Sequence, residues 1–449
     1  MSAERQIFES AGPRMGGWLT WLAPVLLLAA TPTLAGPQIQ TWQTASGARV
    51  LFVPVPDIPM VDVRVVLDAG SVRDGERPGL AAMTADMLTQ GAGDWDADDL
   101  ADRLEQIGAR LDASADRDMT AVALRTLTQE QVMQTAVETL AAVLARPTFA
   151  EPDLERERQN RLVALRHDEE SPMTVGKKAF FRAIYGAHPY AADPDGTAES
   201  VARIGRADIQ SFHRRYYTAA NAVVAIVGAL DRAGAERLAE RVTAGLPVGE
   251  RAPLIPPVEE LTAARQETID FPSSQTTVLA GQTGMRRGDP DYFALYVGNH
   301  ILGGSGLVSL LMKEIREKRG LSYSTFSYFM PLAQPGPFLM GLQTRNDQAE
   351  QARTVLLETL RRFIAQGPTA AELTAARKNI TGGFPLRIAS NADIVQYLAV
   401  IGFYGLPLDY LDRFTSRVEA VTAEQIRDAF SRRVHPDRLA LVTVGATKP

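Results

Sequence analysis

The spacing of apolar and polar positions predicts strands and helices in alternation. Valines at 61, 63 and 65 enclose Asp62 and Arg64, which is the two-residue period of a strand with one face in a core. Residues 120–127 form a second predicted strand, and Thr128 with Gln131 has the form of a capping box that opens a helix. Two stripes at helical spacing lie between the strands: Leu80, Met83, Met87 and Leu88, then Leu100, Leu104, Ile107 and Leu111.

The same order returns later in the chain. Residues 338–342 are predicted as a strand, residues 348–366 as a helix, and Thr369 with Glu372 as a further capping box. Glu372 begins a segment that matches one beginning at Asp153, 219 residues earlier. Near the end of each half a helix leads into an apolar strand, AVVAIVG in the first half and LALVTVG in the second. These matches predict an internal repeat.

Strands followed by long helices predict an α+β fold, with one α/β sandwich in each half. The segment LPVGERAPLIPPVEEL is rich in proline and charge and has no periodicity, which predicts an extended linker. We therefore expect an N-terminal domain over residues 36–248, a linker over residues 249–264 and a C-terminal domain over residues 265–449. Two such halves joined by a linker could close around a cavity.

The first 35 residues predict export from the cytoplasm. Residues 18–30 are an apolar run that is too short to span a bilayer comfortably, and small residues follow up to Ala35. We predict a signal peptide over residues 1–35, with translation starting at Met1 or at Met15, and a periplasmic mature protein. An uncleaved membrane anchor is the alternative. Because no other stretch is long and apolar enough to cross a membrane, we expect no membrane association after cleavage.

Composition narrows the possible chemistry. The 449 residues include no cysteine, which excludes disulfides, thiolate zinc sites, iron–sulfur clusters and a cysteine nucleophile. Apolar residues make up 45% and charged residues 22% of the chain, the balance of a soluble globular protein. The formal net charge is -6 without a long basic run, which argues against nucleic acid as a partner.

Several motifs, in order along the chain, resemble those of the M16 (pitrilysin-like) metallopeptidases. They are Ala69-Gly70-Ser71, Gly79-Leu80-Ala81, YGAHPY at residues 185–190, and GGSG with REKRGLSYS in the second half. The resemblance covers essentially the whole mature chain, including the repeat. It implies two homologous α/β sandwich domains that are joined by a linker and enclose a peptide chamber.

The catalytic signature of this family is His-x-x-Glu-His on a helix of the first half. Its histidines and a more distant glutamate bind zinc, and the motif glutamate acts as general base on the metal-bound water. The matching positions here are Ala82, Ala85 and Asp86, and the distant ligand falls near Ala164. Alanine has no donor atom and a lone aspartate cannot hold zinc, so we expect no metal in this chain. A substitute site built from distant histidines is the alternative, and Asp86 is otherwise interpreted as a polar residue facing the cavity or a helix-surface charge.

The second half keeps a different part of the family pattern. Arg316 and Tyr323, seven residues apart, match the Arg/Tyr pair that handles substrate in the resembling enzymes. Arginine and tyrosine can both donate hydrogen bonds to a peptide carbonyl on which negative charge develops. The alternative is an ion pair of Arg316 with Glu314 or Glu317 and a tyrosine packed in a sheet. The resemblance also implies a substrate-chamber loop at Gly303, Gly304, Ser305 and Gly306.

We therefore interpret the chain as a non-catalytic subunit of a zinc metallopeptidase, inactive alone. A sibling chain with an intact His-x-x-Glu-His motif would bind the zinc and form a heterodimer with this one. The substrate would be a peptide, and Arg316 and Tyr323 would act in trans. A structural or peptide-binding scaffold without a part in catalysis is the second hypothesis. An active homodimer with a non-standard metal site is the third.

Overall fold

The computed structural model describes residues 38–446. The predicted signal peptide and the two candidate start positions lie outside these described residues. Between residues 38 and 446 no helix is long and apolar enough to span a bilayer.

The first half contains the predicted strands and helices together with several short ones. Its strands are β1 (Gln40–Gln43), β2 (Arg49–Pro54), β3 (Met60–Leu67), β4 (Gly91–Ala92), β5 (Trp95–Asp96), β6 (Arg110–Ala115), β7 (Thr120–Leu127) and β8 (Ala222–Gly228). Its helices are α1 (Leu80–Leu88), α2 (Ala97–Glu105), α3 (Glu130–Ala145), α4 (Glu151–Glu169), α5 (Pro172–Tyr185), α6 (Ala198–Arg203), α7 (Arg206–Tyr216) and α8 (Arg232–Thr243).

The second half repeats this order. Its strands are β9 (Arg265–Asp270), β10 (Gln275–Thr283), β11 (Thr325–Phe329), β12 (Pro337–Arg345) and β13 (Ala440–Gly445). Its helices are α9 (Tyr292–Asn299), α10 (Ala349–Gln366), α11 (Ala370–Gly383), α12 (Asn391–Tyr404), α13 (Tyr410–Ala420) and α14 (Ala423–Arg433). Two wider helical turns of the π type lie at His300–Gly304 and Met312–Glu317.

The two main sheets share one topology. The first has the order β1-β2-β8-β3-β7-β6, and the second has the order β9-β13-β10-β12-β11. In each sheet one neighbouring pair is parallel, β2 with β8 and β9 with β13, and the remaining neighbours are antiparallel. Apart from β1, the strands correspond one for one. The prediction of two homologous α+β halves is confirmed.

Both faces of the first sheet are covered, which explains why β8 is apolar throughout. Its alternate residues Ala222, Val224 and Ile226 lie in a core with helices of the first half. The intervening residues, among them Val223 and Ala225, lie in a second core together with residues of α12. A strand that is buried on both faces requires a continuous apolar run, as AVVAIVG is.

The two halves exchange a helix. Helix α5 of the first half packs against β10 and β13, and α12 of the second half packs against β8, β3 and β2. The core around α12 accordingly contains Leu51 and Val66 of the first half together with Leu398 and Phe430 of the second. The sequence pattern did not indicate this exchange. Because the core is shared, opening of the halves about the linker would expose buried apolar side chains.

Four other sequence-based expectations can be compared with the structure. The second helical stripe ends early, because α2 stops at Glu105, the chain turns at Gly108 with φ of +64°, and Leu111 lies in β6. The capping box at Thr128 is wrong, since α3 begins after Gln129 without a side-chain cap. The capping box at Thr369 is confirmed. The predicted linker, residues 249–264, contains no helix or strand, while its exact bounds stay a prediction.

Candidate functional site

Helix α1 carries the positions of the zinc motif and begins on a buried carboxylate. Asp74 accepts hydrogen bonds from the backbone N–H groups of Gly79 and Ala81, both at 2.8 Å. The first N–H groups of a helix have no acceptor within the helix, so the Asp74 carboxylate takes the place of an N-cap side chain. Gly79 has φ of +95°, which only glycine adopts readily. Burial raises the pKa of Asp74 to about 7, against the opposing effect of these hydrogen bonds.

The four positions that match zinc ligands or the general base lie on two neighbouring helices. Ala82 and Ala85 are buried in α1, and Asp86 follows them with a partly exposed side chain. Ala164 lies on α4, which packs against α1, and is exposed. The two helices that carry the four predicted positions therefore lie side by side, and three of the four side chains carry no ligand atom.

A guanidinium group occupies the space between these helices. Arg161, one turn before Ala164 on α4, forms ion pairs with Asp86 of α1 and with Asp195. Its side chain is only 13% exposed. Burial would lower the pKa of Arg161, but the two carboxylates outweigh that effect and raise the pKa. Asp86 is thus the partner of a fixed cation.

The residues present do not fit a zinc ion. Zinc needs three or four protein ligands, and the one carboxylate at the matching positions is held by Arg161. Within residues 38–446 no group of three or more histidine, aspartate or glutamate side chains is placed to hold a metal. Sequence reasoning missed Arg161, although its position three residues before Ala164 on one helix face was a usable signal.

The structure brings Arg316 and Tyr323 together. Arg316 lies in the wide turn Met312–Glu317, and its guanidinium carbon is 4.7 Å from the centre of the Tyr323 ring. The chain reverses between them at Gly320, which has φ of +60° and donates its N–H to the Arg316 carbonyl at 2.9 Å. With the chain reversed at this glycine, Tyr323 lies against Arg316 of the preceding turn.

The alternative contacts, an ion pair of Arg316 with a nearby glutamate and packing of Tyr323 in a sheet, are not formed in the described residues. Glu314 forms ion pairs with Lys318, Arg319 and Arg362, and no ion pair of Arg316 is present in the described part of the chain. The Tyr323 side chain is 83% exposed and does not pack in the sheet. The arrangement is a cation–π contact with its polar atoms open to solvent.

The backbone beneath Tyr323 is nevertheless held firmly. The Ser322 hydroxyl donates to the Gln343 carbonyl at 2.6 Å, and the Thr344 hydroxyl donates to the Leu321 carbonyl at 2.5 Å. These two hydrogen bonds hold the backbone at Leu321 and Ser322 against β12. An exposed tyrosine side chain on a fixed backbone suits contact with a ligand that arrives from outside.

The glycine-rich loop lies beside the Arg316 turn. A side chain at Gly303 would meet the Ser327 hydroxyl at 2.4 Å, so the loop packs directly against β11. The loop continues through Ser305 and Gly306 into two exposed apolar residues, Leu307 and Val308, in a short turn that contacts the turn of Arg316.

The two sets of predicted residues are separate in this chain. Arg316 and Tyr323 contact each other, and α1 and α4 carry the four degenerate positions together. Between residues 38 and 446, no hydrogen bond, ion pair or ring contact joins one set to the other.

Comparison with protein families and curated proteins agrees with this architecture. Residues 49–193 match the insulinase (peptidase family M16) domain, and residues 203–380 match the peptidase M16 inactive domain. An uncharacterized zinc protease of Mycobacterium bovis is 27% identical over 89% of this chain and 91% of its own length.

Solved structures support the same assignment. A peptidase M16 inactive domain from Pseudomonas fluorescens is 38% identical, covers 92% of this chain and 100% of its own, and has a TM-score of 0.89. A protease from Helicobacter pylori shares the fold with a TM-score of 0.84 and 21% identity over 91% of this chain and 99% of its own. With matches in both halves and 38% identity over nearly the full length, this chain belongs to the M16 peptidase family.

Proposed function

We propose that this chain is a non-catalytic, substrate-binding subunit of a heteromeric M16 metallopeptidase. It would supply Arg316 and Tyr323 to the zinc site of a partner chain that carries His-x-x-Glu-His. The observation that carries the proposal is the stacked pair itself, with Tyr323 83% exposed and Arg316 without a carboxylate partner in the described residues. The match of residues 203–380 to an M16 inactive domain supports a role without catalysis by this chain alone.

The chemistry of the pair suits peptide hydrolysis. Attack on a peptide carbonyl places negative charge on its oxygen, and preorganised hydrogen-bond donors stabilise that charge. The Tyr323 hydroxyl supplies one donor, and the guanidinium of Arg316 supplies several. Their contact at 4.7 Å orients the guanidinium before substrate arrives, which lowers the cost of ordering it.

The shared core argues for a second chain. A chamber formed within one chain would require the halves to move about the linker. Here α5 packs on the second sheet and α12 on the first, so such a movement would break a buried core. A chamber that admits and encloses a peptide is therefore better formed between this chain and a partner.

The sheets offer edges to an extended peptide. Strand β6 is the last strand of the first sheet, and its residues alternate between exposed and half-buried positions. A peptide that adds a strand to such an edge forms main-chain hydrogen bonds, which do not depend on its amino-acid sequence. We propose this mode of substrate binding, with the mature subunit and its partner in the periplasm.

A reconstitution experiment tests the proposal. The chain would be purified alone and with a partner that bears the zinc motif, and peptide cleavage would be measured for both. We expect activity only in the complex. Arg316→Ala and Tyr323→Phe in this chain should each lower kcat about 10²-fold, the usual loss for one oxyanion donor.

Arg319→Ala is the matched control. Arg319 is near in sequence but is held by Glu314 at 2.9 Å, so its loss should leave the activity of the complex unchanged within about twofold. Full activity of the complex with both Arg316→Ala and Tyr323→Phe would refute the role in trans and favour a scaffold. Stoichiometric zinc in the purified single chain would instead favour the homodimer hypothesis.

A further inference from the structure

A tyrosine-lined cavity of about 430 Å³ lies in the second half, away from the residues considered so far. Tyr292 and Tyr296 of α9 form one wall, with their rings stacked at 5.8 Å. Tyr397 of α12 and Tyr410 of α13 form the others. A cavity of this size is large enough for one or two amino-acid residues of a ligand.

Two arginines line the same cavity without carboxylate partners. Arg387 donates to the Tyr296 hydroxyl at 2.7 Å, which leaves most of its five N–H groups available. The Nε atom of Arg287 is buried and has no hydrogen-bond partner in the described structure. No ion pair of Arg287 or Arg387 with a carboxylate is present within residues 38–446. Asp393 also lines the cavity, but its carboxylate accepts a hydrogen bond from Ser390.

The tyrosine hydroxyls remain donors at neutral pH. Burial raises the pKa of Tyr296 and of Tyr397 above the ordinary value, and nearby Arg387 opposes the rise without cancelling it. Burial likewise raises the pKa of Tyr410. Neutral hydroxyls and two guanidinium groups, set against the single carboxylate of Asp393, give the cavity more positive than negative charge.

A second cavity of about 320 Å³ adjoins the first one. Arg287, Tyr292 and Tyr410 line both, so these three residues form the boundary between them. Phe293 and Leu406 also line the second cavity, together with four further charged residues: Asp289, Asp409, Arg413 and Arg417. A ligand that reaches across the boundary would meet cations and hydroxyls in the first cavity, and in the second it would meet the Phe293 ring and Leu406 among charged side chains.

We propose that this site binds the free C-terminal carboxylate of a peptide whose last side chain is apolar or aromatic. The carboxylate lies between Arg287 and Arg387, because arginine matches carboxylate geometry with paired hydrogen bonds. The last side chain occupies the second cavity, against Phe293 and Leu406. The inference rests on the proposed function in that it takes the ligand to be a peptide, and it names an anchor for one end of that peptide.

Calorimetry with the full chain tests the inference without a partner. The probes are the tripeptide Ala-Ala-Phe with a free C-terminus and the same peptide as its C-terminal amide. We expect the free acid to bind and the amide to bind at least about tenfold more weakly, because the charge-assisted hydrogen bonds are lost. Arg287→Gln and Arg387→Gln should each weaken binding of the free acid by about tenfold.

Arg361→Gln is the matched control, since Arg361 is a half-exposed arginine of α10 that lines neither cavity. Its binding should equal that of the unaltered chain. Equal binding of acid and amide overturns the inference, and that comparison uses the unaltered chain, so it does not depend on how a variant folds. A different result separates the two proposals. If the free acid binds more tightly than the amide but Arg316→Ala does not change peptide cleavage by the complex, the proposed function is refuted and the carboxylate site is not.

Discussion

The exchange of α5 and α12 between the halves makes a quantitative prediction at Gly402. This glycine lies in α12, where a Cβ atom would stand 2.5 Å from Val223 Cγ1 and 2.7 Å from Leu51 Cδ1. Both neighbours belong to the first half. Alanine in place of glycine in a helix ordinarily stabilises by about 1 kcal/mol. Overpacking of a core costs about 1–3 kcal/mol, and Val223 cannot turn away easily because its side chain is β-branched.

The two effects leave Gly402→Ala about 1 kcal/mol less stable than the unaltered chain. Gly382→Ala is the matched control, because Gly382 lies in α11 with nothing within 4 Å of the added atom. The free energy of unfolding of Gly382→Ala should rise by about 0.5 kcal/mol from helix propensity alone. This gain is smaller than at a mid-helix position because Gly382 is close to the end of α11. The two variants should therefore differ by about 1.5 kcal/mol.

Urea unfolding followed by far-ultraviolet circular dichroism measures both variants under the same conditions. The difference between the two free energies of unfolding isolates the packing of α12 on the first sheet. If Gly402→Ala stabilises the chain as much as Gly382→Ala does, α12 does not press on Val223 and Leu51, and the exchanged arrangement is refuted.

Two further predictions concern buried polar groups. Asp118 is 1% exposed and accepts hydrogen bonds from two groups of the other half, the Tyr404 hydroxyl at 2.8 Å and the Ala333 N–H at 2.7 Å. Asp118→Ala leaves both donors buried without a partner, so it should lower the free energy of unfolding in urea by about 3 kcal/mol. Burial lowers the pKa of His213 to about 4 in the folded chain. Because the unfolded chain takes up this proton near pH 6.5, the stability contribution is complete above that pH and falls by about 3 kcal/mol between pH 7 and pH 4. His213→Gln should remove this part of the pH dependence, and an unchanged slope in urea unfolding from pH 4 to pH 7 would contradict it.

Much of the fold could be predicted because the patterns that encode it are local. The alternation at Asp62 and Arg64 marks β3, and the capping box at Thr369 marks the start of α11. The repeat was visible because corresponding segments keep the same spacing. The stripe that ended at Leu111 misled because apolar residues on a loop and a strand can match a helical spacing by coincidence.

The site was predictable only in part. Spacing within the family pattern identified Arg316 and Tyr323, and the structure places them in contact. The ion pairs of Arg161 with Asp86 and Asp195 join residues that are 75 and 34 positions apart, and no local pattern records such a pairing. The tyrosine and arginine cavity likewise gathers residues from three helices and the loops between them.

The sequence by itself determined the repeat, strands such as β3 and β7, and the absence of ligand atoms at Ala82, Ala85 and Ala164, since each depends only on residue type and local spacing. The tertiary structure decided which helix covers which sheet. An apolar face of α5 or α12 can bury itself on either sheet, and only the packing of the whole chain selects the sheet of the other half. The same packing decided that Tyr323 is exposed while Arg161 is buried, because burial depends on neighbours that are distant along the chain.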